Sequence, residues 1–300
     1  MNAPCQRSHD LPPQAPTTLP GERTGTAEIN RLRLVWRVWG SDGATPLVLL
    51  HGLRGYSGTW RCLAQHLGSQ YQLFALDQRG RGESAWDPDH NYYTDAYVRD
   101  LEQWLAHLKL DRFFLLGHSM GGTTAYVYAN QHPERVRALI VEDIAPGSSM
   151  QGPGARRIVS EMANLPERFD SWSAARAYWR SLRPSLPEDA VEQRVAESLR
   201  EERDGEIVWR YDARGIRRTR MNPDAQRIVD LWPMVLGISR PTLVIRGERS
   251  DFCSADVMLN ICARNSNVEC ISVPHAGHYV HDDAPELFAN HVRAFITRHA

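Results

Sequence analysis

The stretch Phe113-Phe114-Leu115-Leu116-Gly117-His118-Ser119-Met120-Gly121-Gly122 decides the reading of this chain. Phe113 to Leu116 is an apolar run of strand length, and Gly122 to Asn130 has helix-forming composition. Between them, residues 117–121 match G-x-S-x-G. In a strand–turn–helix this pentapeptide forces the serine into sparsely allowed backbone geometry and needs flanking residues without bulk. Gly117 and Gly121 meet that need, so Ser119 is expected to project its hydroxyl from the sheet edge as a nucleophile.

Outward from this stretch, strand and helix signals alternate. Leu32–Trp39 alternates basic and apolar residues, and residues 46–50 form a buried strand that runs into His51-Gly52-Leu53-Arg54-Gly55. A strand ending in His-Gly and a glycine-bearing loop leaves backbone N–H groups facing open space, as an oxyanion hole requires. Residues 59–67 read as a helix and 71–76 as a strand. The turn Asp77-Gln78-Arg79-Gly80-Arg81-Gly82-Glu83-Ser84 then reads as architectural, tied by Asp77 and Arg79. Residues 94–108 carry an apolar stripe of Tyr97, Leu101, Trp104, Leu105 and Leu108 that faces a core. After the strand 136–141, the sequence changes texture from residue 146 to 239, with many arginines, glutamates and large aromatics. It predicts a mainly helical insertion with helices over 173–182 and 187–203. Strand–helix alternation then resumes with strands over 241–246 and 268–273.

Repeated strand–helix units predict an α/β fold with a mostly parallel sheet flanked by helices. Its boundaries are a proline-rich disordered tail over 1–26, a core over 27–145 and 240–300, and the helical insertion over 146–239. Loops that follow parallel strands gather on one sheet edge, where ligands bind.

A serine hydroxyl needs a base, and the base needs a carboxylate to fix its tautomer. Post-strand loops offer His275, His278 and His281. His278 is preferred because Ala276-Gly277 leaves the backbone room to present it. Asp251, a short loop after the strand 242–246, is the expected acid, with Asp143 at the end of the preceding strand as the alternate.

With these segments in this order, the chain resembles the α/β-hydrolase fold superfamily over about residues 28–298. The resemblance rests on His51-Gly52, the turn 77–84, Gly117–Gly122, Gly247-Glu248-Arg249-Ser250-Asp251 and Gly277-His278. It implies Ser119 as nucleophile, Asp251 and His278 as its partners, oxyanion amides from Leu53 and Met120, and a lid over 146–239. The expected chemistry is hydrolysis of an ester, lactone or thioester through an acyl-serine. Hydrolysis of a carbon–carbon bond, a biosynthetic thioesterase or lyase-like role, and a non-catalytic receptor are the alternatives. The aspartate nucleophile of dehalogenases and epoxide hydrolases is replaced here by serine, which argues against those activities.

Composition narrows the partners. Hydrophobic residues make up 42% and charged residues 24%, with 35 basic against 36 acidic side chains, so neither nucleic acid nor an anionic membrane is favoured. The arginine-rich patch Arg214, Arg217, Arg218 and Arg220 reads as a solvated face in preference to a contact with an anionic group. The substrate is then a small molecule, and Trp172, Trp179, Trp209 and Trp232 suggest an apolar pocket for it. Five scattered cysteines without C-x-x-C suggest neither a disulfide framework nor a zinc site, and no cofactor is implied. With no apolar run of ~18 residues and no signal-peptide core, a reduced cytoplasm is the expected location.

Overall fold

A computed structural model describes residues 10–14, 18–148, 152–184 and 186–300. The first half runs β1 (Arg23–Ile29), β2 (Leu32–Trp39), β3 (Thr45–Leu50), α1 (Arg61–Leu67), β4 (Tyr71–Asp77), α2 (Thr94–His107), β5 (Phe113–His118), α3 (Met120–Gln131) and β6 (Val136–Glu142). An insert follows, with α4 (Pro153–Ala163), β7 (Arg168–Phe169), α5 (Trp172–Leu182), α6 (Glu188–Ser198), β8 (Leu199–Glu201), β9 (Ile207–Trp209), α7 (Ala213–Met221) and α8 (Leu231–Gly237). The chain then completes the sheet with β10 (Thr242–Gly247), α9 (Ala255–Arg264), β11 (Val268–Val273), α10 (Val280–Asp283) and α11 (Pro285–Arg298).

Eight strands form one sheet in the order β1-β2-β4-β3-β5-β6-β10-β11. The β1–β2 and β2–β4 pairs are antiparallel and the others parallel. Residues of β5 are buried along its whole length, as a central strand covered on both faces must be. The stripe on α2 packs against one face with α3, α8 and α9, and α1 and α11 cover the other. The carboxyl ends of β3, β4, β5, β6, β10 and β11 therefore share an edge, and the loops leaving them build the site.

Three expectations change. β1 begins at Arg23, so the expected tail is too long by four residues, because residues 23–29 find seven antiparallel partners in β2. Asp10 also has a place: its carboxylate accepts from Ser173 N at 2.7 Å and Ser173 Oγ at 2.6 Å, at the start of α5. Residues 1–9 and 15–17 of that stretch lie outside the described residues. Second, the helix expected over 187–203 stops at Ser198, and the chain enters an antiparallel sheet β7-β9-β8. Asp204-Gly205, a hairpin-turn dipeptide with Gly205 at φ +85°, was the sequence signal for that turn. Third, Cys262 and Cys270 form a disulfide, since α9 packs on β11 and brings their Cα atoms to 6.6 Å.

No helix among the described residues is long and apolar enough to cross a membrane.

Candidate active site

Ser119 occupies the turn between β5 and α3 at φ +52°, ψ −114°. This conformation is costly for a side chain with a Cβ and is held by its surroundings. A Cβ at position 117 would run into the Gly121 carbonyl, and one at 121 into the Leu50 carbonyl, so only glycine fits either place. The Ser119 amide donates to Glu142 O at 2.9 Å, which ties the turn to the end of β6.

Across the sheet edge, the Ser119 hydroxyl lies 3.0 Å from His278 Nε2, and His278 Nδ1 lies 2.7 Å from Asp143 Oδ2. The three side chains form one hydrogen-bonded chain that runs hydroxyl to imidazole to carboxylate. Ser119, His278 and Asp143 are all buried. Burial penalises both ionised forms, so it pushes the Asp143 carboxyl up and the His278 imidazole down. Asp143 is held from its other side by the Ser250 hydroxyl and by Gly247 N at 3.1 Å, both of which favour the carboxylate. The phenyl ring of Phe252 stacks on the imidazole, with centroids 4.1 Å apart.

Asp251, the expected acid, is elsewhere. Its two oxygens accept from Arg157 Nε at 2.7 Å and Nη2 at 3.0 Å, a bidentate pair that turns the carboxylate toward α4 of the insert. Burial raises its pKa, but the Arg157 hydrogen bonds and charge outweigh this and leave it lowered. The position next to His278 is taken by Asp143, one residue past β6 with φ +51°, a backbone turn that aims the side chain across β10. Arg157 further bonds Glu161 at 2.8 Å, and Glu161 pairs with Arg54 beside Leu53, so Asp251 anchors a chain of charges between core and insert.

The other two histidines are accounted for. His275 is exposed. His281 Nδ1 lies 2.7 Å from Glu142 Oε1, its Nε2 meets Thr59 Oγ1 at 3.0 Å, and its amide donates to Glu142 at 3.0 Å. Glu142 and Asp143 are thus consecutive residues that hold two histidines, one in the loop after β11 and one in α10. His118, Glu142 and His281 bring metal-ligating atoms within 4.8 Å of one another. Glu142 and His281 are bonded to each other, His281 also meets Thr59 Oγ1, and His118 Nε2 lies 2.9 Å from His278 O.

The Leu53 and Met120 amides make no backbone hydrogen bond among the described residues. His51 fixes the loop bearing Leu53: Gln78 N donates to its Nε2 at 3.1 Å, and its Nδ1 meets Gly52 O at 2.8 Å. Arg81 reaches the same region, donating to Leu53 O at 3.1 Å, to Tyr97 OH at 2.6 Å and to Met120 Sδ at 3.4 Å. The turn 77–84 is architectural, tied as expected by ion pairs and backbone hydrogen bonds of Asp77 and Arg79. Asp77 accepts from Ser57 N and Glu83 N, whereas Arg79 pairs with Asp87 and Asp100.

Ser119 and His278 open into a cavity of about 150 Å³ walled by tyrosines and aliphatics, among them Tyr92, Tyr93, Tyr97 and Ile158. None of the four expected tryptophans lines it. Trp172, Trp179 and Trp209 are buried in the insert's own core, and Trp232 packs on the main core under Arg264. A small insert has little apolar area to spare, and its largest rings are used to hold it together. Tyr92, Tyr93 and Tyr97 were missed because only the fold brings the start of α2 under α7.

Residues 45–285 match the alpha/beta hydrolase fold family. The chain belongs to that family. It is 33% identical over 265 residues to a putative 2-succinyl-6-hydroxy-2,4-cyclohexadiene-1-carboxylate synthase of Bacillus subtilis, covering 86% of this chain and 92% of that one. It is 28% identical to a 2-(acetamidomethylene)succinate hydrolase of Mesorhizobium japonicum over 90% of this chain and 93% of the relative. It is also 28% identical to the mouse sn-1-specific diacylglycerol lipase, over 90% and 87%. The crystal structure of an E-2-(acetamidomethylene)succinate hydrolase superposes with a TM-score of 0.82 over 92% of this α/β-hydrolase and 99% of that chain, at 24% identity. The chain is an enzyme of the hydrolase type that this family comprises.

Proposed function

We propose that this α/β-hydrolase cleaves a carboxylic ester, lactone or thioester through an acyl-Ser119 intermediate. A shared fold hosts many activities, so the reading rests on one observation: the unbroken chain Ser119 Oγ to His278 Nε2 at 3.0 Å and His278 Nδ1 to Asp143 Oδ2 at 2.7 Å. His278 takes the Ser119 proton as Oγ attacks the substrate carbonyl, and Asp143 stabilises the imidazolium. The oxyanion of the tetrahedral intermediate meets the Leu53 and Met120 amides. Its collapse breaks the bond to the leaving group, which receives the proton from His278. Water, deprotonated by the same imidazole, then attacks the acyl-serine and returns the enzyme with the free acid.

The insert acts as a cap over this site, and Asp251 serves to seat it through Arg157.

Ser119→Ala is expected to lower kcat on short-chain esters roughly 10⁴- to 10⁶-fold. A serine-directed phosphonate is expected to label Ser119, as found by peptide mass mapping. Full activity in the alanine variant, or labelling elsewhere, sinks the proposal. A second reading is favoured by the relative named a synthase: the same imidazole removes a proton from carbon, and Ser119 forms no acyl adduct. Intact-mass trapping during turnover separates the two, since only acyl transfer adds the acyl mass to the protein.

A further inference from the structure

One charged side chain in the cavity remains without a function. Arg220 projects from α7 into the space that Ser119 and His278 line. The other arginines of the insert that face the core have carboxylate partners: Arg157 with Asp251 and Glu161, and Arg194 with Asp282. Arg227, which also lines the cavity, is paired with Asp95 and lies over the Tyr93 ring. Arg220 has no such partner among the described residues. The groups that act on it are the surrounding protein that desolvates it, the Tyr97 phenol and a second cation, Arg81. Burial lowers its pKa, with only the Tyr97 phenol acting against it, as for a guanidinium that has no carboxylate to offset its desolvation yet stays protonated.

The cavity wall offers no relief, for its lining contains no aspartate and no glutamate. Arg81 cannot supply it, being itself a cation with donors only, which go to the Leu53 and Arg79 carbonyls, Tyr97 OH and Met120 Sδ. Two guanidinium groups thus sit near one another with no carboxylate between them. The other three arginines of the patch behave differently: Arg214 and Arg218 are exposed, and Arg217 donates to Ala163 O at 3.0 Å. The patch is a solvated face with one member turned inward.

An unpaired cation in a partly desolvated cavity is unfavourable in the empty protein and becomes favourable when an anion enters. Arginine's planar fork matches a carboxylate with two parallel hydrogen bonds. At about 150 Å³ the cavity admits a body of roughly benzene's bulk, so the anion and the reacting carbonyl belong to one compact molecule. We infer that the substrate carries a carboxylate that pairs with Arg220 while its scissile carbonyl lies at Ser119. This inference rests on the acyl-transfer reading for the position of the carbonyl, and names the substrate class: a half-ester, or half-thioester, of a dicarboxylic acid.

The test compares monoethyl glutarate with its uncharged isostere ethyl 5-methylhexanoate, using hydrolysis followed by pH-stat. The wild-type enzyme is expected to prefer the anionic ester in kcat/KM by about 10- to 100-fold. Arg220→Met is expected to abolish that preference, chiefly through KM, and Arg220→Lys to retain part of it. A ratio of the two esters measures selectivity and is insensitive to the fraction of variant that folds. Calorimetric titration of Ser119→Ala protein with monoethyl glutarate supplies a readout free of chemistry, with binding expected to weaken about tenfold or more when Arg220→Met is added. An unchanged ester ratio in Arg220→Met, or glutarate binding indifferent to Arg220, overturns the inference. Arg220-dependent binding with neither ester hydrolysed upholds the carboxylate contact at Arg220 and counts against the acyl-transfer reading alone.

Discussion

Asp143 Oδ2 lies 2.7 Å from His278 Nδ1, 135 residues away in the chain, while Asp251 is held in a bidentate pair by Arg157. In the proposed site the acid therefore comes from the end of β6, beside the strand that leads to Ser119, and the aspartate after β10 is free for another task. Comparing Asp143→Asn with Asp251→Asn separates the two roles. The first is expected to lower kcat by about 10³- to 10⁴-fold, because an amide there favours the wrong imidazole tautomer. The second leaves the Ser119–His278–Asp143 chain in place and is expected to act mainly on KM. Steady-state kinetics on a single ester decide it, and a larger kcat loss in Asp251→Asn refutes the assignment.

Arg157 joins the loop after β10 to α4, with Asp251 on one side and Glu161 on the other. Arg157→Leu leaves Asp251 without its cation, while Glu161 keeps Arg54. Arg157 and Asp251 are partly solvated, so the expected loss of stability is about 1–2 kcal/mol and not the several expected of a fully buried pair. Urea denaturation measures it, and a raised KM should accompany it as the cap seats less firmly. Unchanged stability and KM together contradict a seating role.

Burial depresses the His278 pKa from about 6.5 to about 3. The base form is the one present above the native pKa, so the ring itself is expected to take up its proton well below the ordinary imidazole value. Burial pushes the neighbouring Asp143 carboxyl the other way, so NMR titration of the His278 ring, which isolates the imidazole, is the measurement that checks this. The same depression weakens the fold in acid: below about 6.5 the unfolded chain takes up a proton that the native site refuses, so stability falls as pH drops. A ring titration centred near 6.5 would falsify the claim that burial controls this group.

The Glu142–His281 pair has the opposite sign. Desolvation lowers the His281 pKa, but the Glu142 and Asp282 charges outweigh it and leave the imidazole raised. Its contribution is fully present below the unfolded value of about 6.5 and disappears as pH rises through the higher native value. Glu142→Gln is expected to cost about 2–4 kcal/mol at acidic to neutral pH, with a smaller loss under alkaline conditions. Denaturation curves on both sides of that range test the trend, and a cost that grows with pH reverses the sign proposed for His281.

Trp209→Ala removes the centre of the insert's aromatic cluster, where Phe169, Tyr178, Trp179 and Tyr211 all meet the indole. The expected cost is about 3–5 kcal/mol, from lost transfer energy and the cavity left behind. Trp209 does not line the substrate cavity, so the ranking of acyl-chain lengths among esters should survive. A reordered ranking would return the tryptophan to the pocket.

The sequence by itself determined the parallel core, the tight turn that carries Ser119 and the loop that carries His278, because each is written in contiguous residues. The apolar run 113–116 and the two glycines around Ser119 carry their own steric logic, and Gly277 marks the loop of the histidine. Period-3.6 and buried-run patterns likewise placed α2, β3, β5 and β10. Asp143 and Asp251 could not be ranked in this way. Both follow strands, and which one reaches His278 depends on the positive φ of Asp143 and on Arg157 arriving from the insert to occupy Asp251. The same holds for the pocket. Aromatic content announces that something is packed, whereas only the tertiary structure decides that the tryptophans pack the insert itself and that one arginine of a solvated patch turns toward Ser119. Local rules fix backbone conformation over a few residues; the partner of a charge is whatever the folded chain brings within reach of it.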